Sequence, residues 1–111
     1  MKPSYLLSLL LIGLLLSSCG GIEIPADKLD YIGLWQGDGV SLQITADAKL
    51  NYSKKEGSNT TTLNVPISAF EGDNFKAGLM GMETTFVVSQ PPTKKGGQMT
   101  MIVDGTLLKK R

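Results

Sequence analysis

From Val40 to Thr45 the chain reads VSLQIT, in which apolar and polar residues alternate without a break. A period of two places Val40, Leu42 and Ile44 on one face and Ser41, Gln43 and Thr45 on the other, the pattern of a half-buried strand. Ala46-Asp47-Ala48 turns the chain into Lys49–Ser53, where Leu50 and Tyr52 keep the alternation, so the two segments predict a hairpin. After a turn at Glu56-Gly57-Ser58-Asn59, Thr61, Leu63 and Val65 carry a third strand up to Pro66. Glu71-Gly72-Asp73-Asn74 precedes a short run around Phe75, Ala77 and Leu79. Glu83–Ser89, ETTFVVS, is rich in β-branched residues and is expected to stop at Gln90-Pro91-Pro92, where amide donors are missing. Gln98–Val103 and Thr106–Leu108 flank Asp104-Gly105, a strong two-residue turn pair. With an opening segment at Tyr31–Gln36, about eight short strands are predicted, and no window carries a helical period.

Consecutive strands at about ten-residue spacing predict an all-β domain, an antiparallel meander that manages its edges by closing into a small barrel or half-barrel. Trp35, Leu42, Ile44, Leu50, Tyr52, Leu63, Phe86, Val88, Met99 and Met101 are its expected core. A barrel of about eight strands is either filled by its own side chains or holds one small ligand. Short strands with few inward positions favour filling.

The N-terminal end is a different material. Lys2 precedes Tyr5–Leu16, an uncharged run that a helix would stretch over only about 18 Å, short of the roughly 30 Å needed to span a bilayer. This is the pattern of a signal peptide. The run ends in Leu16-Ser17-Ser18-Cys19, which resembles the lipobox of bacterial lipoproteins. That resemblance implies cleavage between Ser18 and Cys19 and a diacylglyceryl group on the Cys19 sulfur, the strongest side-chain nucleophile at neutral pH. It also implies a location in the cell envelope. Gly20, rather than Asp, after the Cys implies the outer membrane facing the periplasm. The expected organisation is a signal peptide at 1–18, a lipidated tether at 19–28 and a β domain at 29–111.

Composition narrows the chemistry further. Of 111 residues, 11 are Lys or Arg, 10 are Asp or Glu, one is Cys and none is His. Without the signal peptide the formal charge is zero, and no basic stripe predicts a nucleic-acid partner. Lys54-Lys55, Lys94-Lys95 and Lys109-Lys110-Arg111 read as solvated turns and a frayed tail. With its one Cys spent on the anchor, the domain has no disulfide to draw on. A serine nucleophile would have no His base, so no catalytic residue, metal or cofactor is predicted.

Two features suggest binding. Gly33-Leu34-Trp35 is similar to the G-x-W signature of lipocalins and related barrels, a three-residue likeness that implies a barrel whose Trp plugs one end. The stretch from Ile32 to Gly105 is also similar to small bacterial lipoproteins, which implies no activity. Met80-Gly81-Met82 and Met99-Thr100-Met101 are M-x-M pairs; in strands each pair would point to one face, as core filler, as the lining of a small apolar ligand site, or as soft ligands for Cu(I). Trp35, Met80, Met82, Met99 and Met101 are therefore the candidate ligand-lining set. Asp38, Glu71, Asp73 and Glu83 are scattered carboxylates, and Gly37-Asp38-Gly39 reads as a turn. The expected function is non-enzymatic: a protein-interaction or envelope-structural module, or else a carrier of a small apolar ligand, or an inhibitor of a secreted hydrolase. Its expected partners are the membrane, through Cys19, and an envelope protein or a small apolar ligand.

Overall fold

Nine strands follow one short 3-10 helix, and most strand ends fall where the alternation of the sequence stops. They are β1 Gly33–Gly37, β2 Val40–Ile44, β3 Lys49–Glu56, β4 Asn59–Glu71, β5 Asn74–Leu79, β6 Met82–Phe86, β7 Val88–Lys95, β8 Gln98–Val103 and β9 Thr106–Lys110, after the 3-10 helix Ala26–Tyr31. This computed structural model describes residues 22–111; the predicted signal peptide, Ser18 and Cys19 lie outside the described residues.

All nine strands form one sheet in the order β6-β5-β4-β3-β2-β1-β9-β8-β7, with antiparallel neighbours, curled into a half-barrel. The expected all-β meander is therefore present. Its ends are not where a simple meander would put them, because β9 pairs with β1, setting Trp35 opposite Lys110, while β6 and β7 occupy the two edges. Directions alternate from β1 to β6, and β9 opposes β1, so β7 must run the same way as β6. Only Val87 separates them. One residue is too short for a hairpin and far too short for a parallel crossover, so the two strands cannot be lateral neighbours. Met82–Lys95 is thus one bent path, pairing with β5 before the bend and with β8 after it. Counted by path, the predicted eight strands become nine by one corner.

That corner is held by hydrogen bonds. The Asp104 amide donates to the Val87 carbonyl at 2.8 Å, and the Val87 amide donates to the Asp104 carboxylate at 2.9 Å. The Val88 amide donates to Oδ1 of Asn74 at 2.8 Å, bringing the start of β7 against the start of β5.

Two predicted strand ends are wrong for one physical reason. Pro91 and Pro92 were expected to end a strand, and Pro66 to end another, yet β7 and β4 run through them. A missing amide costs a ladder bond only when the ladder would use it. β7 is an edge with register shifts on both sides of Gln90, and Pro66 sits where β4 leaves β3 and joins β5.

The core is one cluster. Trp35, Leu42, Leu50, Ile67, Phe75, Met101 and Leu108 have no exposed surface, and Tyr52, Leu63, Val65 and Met99 pack around them. Phe75 and Phe86 stack at 5.0 Å between centroids, and Tyr52 meets Phe86 edge-on at 5.2 Å. Tyr31 closes the cluster against Phe70 at 5.4 Å. Such pairs contribute roughly 0.5–1.5 kcal/mol each beyond the area they bury. Part of the segment expected as a tether, 19–28, packs on the domain. Ile24 is only 9% exposed, Ile22 packs against the core, and the 3-10 helix begins at Ala26. Apolar side chains this close to Cys19 fold back onto the sheet.

Candidate functional site

Gly33 and Trp35 lie on the inward face of β1. A Cβ at Gly33, whose φ is +142°, would fall 2.6 Å from Cε of Lys110, so the missing side chain is the space through which the Lys110 stem passes. The Lys110 ammonium then stands 5.3 Å from the centre of the Trp35 ring and donates to the Asp30 carbonyl at 3.2 Å. Below, the indole N–H donates to the Tyr31 carbonyl at 2.9 Å. Gln98 fixes the last strand by donating to the Lys110 carbonyl at 2.8 Å. Trp35 is thus sealed on all sides and satisfied, and it lines no open space.

Lys110 had been read as part of a frayed tail. Its real place follows from a period of two through Thr106, Leu108 and Lys110, which puts the ammonium stem on the face of the fully buried Leu108.

The methionines divide. Met101 has no exposed surface and Met99 packs against the core, as core filler would. Met80 is 96% exposed and Met82 is 82% exposed, so neither belongs to the interior. The physical reason is a turn. Met80 and Gly81, with φ of 54° and 81°, are the two loop residues between β5 and β6, where strand alternation does not hold. The four methionines and Trp35 are not brought together as one lining.

Among the described residues, side chains fill the centre of the curled sheet. A void large enough for water would expose the walls around it, and the inward side chains Trp35, Leu42, Leu50, Ile67, Phe75, Met101 and Leu108 show no such surface. Outside, a shallow hollow of about 140 Å³ lies over Gln43, Asn51, Asn64, Ser41, Ser53 and Thr62. Its floor is uncharged, with the Asn51 amide donating to Gln43 at 3.3 Å. Small-molecule pockets are generally about 300–1,000 Å³, well above this size.

The carboxylates stay apart. Glu71 pairs with Lys76 at 3.3 Å, the Asp73 carbonyl receives the Tyr31 hydroxyl at 2.8 Å, and Glu83 stands exposed on β6. Among the described residues no three acidic, Cys or His side chains gather as a metal site would require. Burial pushes the Tyr31 phenol up to about 12, with the negative charges of Asp73 and Asp27 adding to the effect. The Tyr52 phenol is also raised, chiefly by burial.

The most distinctive surface is one that the alternation pattern missed. Leu79, Met80 and Met82 are all exposed at the tip of the β5–β6 hairpin, and β6 is exposed from Met82 to Thr85. The sequence signal for it is Gly81 alone, since Met80 is not among the residue types that favour the positive φ a two-residue hairpin loop requires. Comparisons with protein families, with curated proteins and with solved structures find no match for the chain.

Proposed function

We propose that the chain is a lipid-anchored protein of the cell envelope, fastened through Cys19, whose β domain works by binding another protein or as a structural module. The carrying observation is the filled interior. A carrier needs a space to receive its cargo, and β1, β2, β3, β8 and β9 each place at least one side chain with no exposed surface in the interior, Trp35, Leu42, Leu50, Met101 and Leu108. An apolar hairpin tip held out in solvent further supports recognition at the surface.

The anchor rests on Leu16-Ser17-Ser18-Cys19 and on the uncharged run before it. One acyl chain gives marginal membrane binding, and two or more hold a small domain firmly, at about 0.8 kcal/mol per buried methylene. Cys19→Ser should abolish labelling by a fatty acid and leave an unprocessed precursor. Normal processing and location of that variant would overturn the anchored reading. Native mass spectrometry of the protein should find polypeptide and anchor masses alone, and a further bound mass would restore the carrier.

A further inference from the structure

We propose that β6 is a docking edge for a second copy of this chain, the two β6 strands pairing antiparallel about a two-fold axis at Thr84.

The half-barrel has two free edges, and they are built differently. β7 carries Pro91, Pro92, Lys94 and Lys95 and two register shifts, all features that discourage another strand from pairing. β6 reads METTF and pairs with β5 without a register shift. It has no proline, no lysine and no bulge. Among the described residues nothing covers it, because Val87 leads straight into β7 and both sides of β8 are occupied.

The hairpin geometry determines which main-chain groups are free. Leu79 and Met82 flank the two-residue turn and form its hydrogen-bonded pair. Alternation then points the amides and carbonyls of Met82, Thr84 and Phe86 toward β5 and those of Glu83 and Thr85 outward. Among the described residues no hydrogen bond reaches the outward groups.

An outward residue must meet an outward residue, which leaves few registers for a symmetric pair. An axis at Glu83 would set two carboxylates opposite each other. An axis at Thr85 would set Glu83 against the partner's Val87, whose amide and carbonyl are already bound by Asp104. The axis at Thr84 sets Glu83 opposite the partner's Thr85, twice over, for roughly four main-chain hydrogen bonds. It also suits the charges. Lys76, which pairs with Glu71 at 3.3 Å, lies across from Thr85 within the hairpin, so the partner's Glu83 falls about 10 Å from it on the same face, and the long Lys76 side chain would be shared between the two carboxylates. The exposed Met82 comes to lie opposite the partner's Phe86. The pairing depends on the β5–β6 hairpin alone and not on the anchor.

Thr84 on the axis is a non-hydrogen-bonded position, with Cα atoms about 4.5 Å apart across the pair, inside the range that a disulfide spans. The test is oxidation of cells producing the full chain with Thr84→Cys, followed by electrophoresis without reductant. The unsubstituted chain, whose single Cys is Cys19, sets the background. A band of twice the mass that collapses on reduction is expected, while Thr60→Cys on the exposed start of β4 stays monomeric. Adding Thr85→Glu, which faces the partner's Glu83, should cut the cross-linked fraction several-fold, and adding Glu83→Lys to that variant should restore it. The proposal is overturned if Thr84→Cys stays monomeric, if Thr60→Cys cross-links equally, or if Thr85→Glu changes nothing.

Discussion

Tyr31 has its ring in the core and its hydroxyl on the Asp73 carbonyl, so one residue joins the 3-10 helix to the β4–β5 turn. Its phenol is raised from 10.0 to about 12. A group whose pKa is higher in the folded state adds stability that is complete below the unfolded value and disappears as pH climbs through the folded one. The domain should therefore hold its stability to about pH 10 and lose some of it between 10 and 12. Tyr52 contributes in the same direction. Tyr31→Phe should cost about 1 kcal/mol at neutral pH through the lost hydrogen bond, and that deficit should shrink or reverse at the alkaline end. Chemical denaturation at a series of pH values checks both parts. At this scale much was legible. Trp35, Leu42, Leu50 and Met101 were expected in the core and have no exposed surface. Tyr31 was not, because it was counted as the first residue of a strand and its 3-10 helix has no periodic signature.

At the scale of elements, turn chemistry and packing outweigh alternation. Glu83–Ser89 reads as one strand, and its residues do run one way, but Val87 bends the path because Asp104 binds both of its main-chain groups. That hydrogen-bonding partner lies far along the sequence, so no local pattern could reveal the bend. The Asp104-Gly105 turn was legible because positive φ selects the residue type. Gly78 is a further such position with a different cause. A Cβ there would collide with the Met82 carbonyl oxygen and the Glu83 Cα, both main chain, so the hairpin cannot yield by moving a side chain. Gly78→Ala should destabilise the domain by about 1–3 kcal/mol, seen as a lower Tm. It should also remove the cross-linking expected of Thr84→Cys, since it distorts the strand that pairs.

For the whole molecule, one core and no disulfide leave stability dependent on the packing of the entire curled sheet. A domain of this size buries only about 60–65% of its unfolded surface, so its margin is small. The sequence suggested that folding begins at residue 29, but Ile22 and Ile24 belong to the packed cluster. A chain starting at Leu29 should melt lower than one starting at Gly20, by roughly the 2–5 kcal/mol that losing a buried Ile costs, measured by thermal unfolding. The function was the least legible property. An all-β meander can be read from periodicity, whereas a docking edge depends on which strand is left without a neighbour.

The cover over Trp35 has a consequence in time. Lys110 and the Arg111 amide, which donates to the Leu34 carbonyl at 2.8 Å, both close onto the first strand. Neighbouring hairpins are joined by short loops, but the β1–β9 seam joins strands far apart in sequence and bears the entropy of a long loop. The single tryptophan should therefore be shielded only once β9 has docked on β1, and its fluorescence should report that docking during refolding.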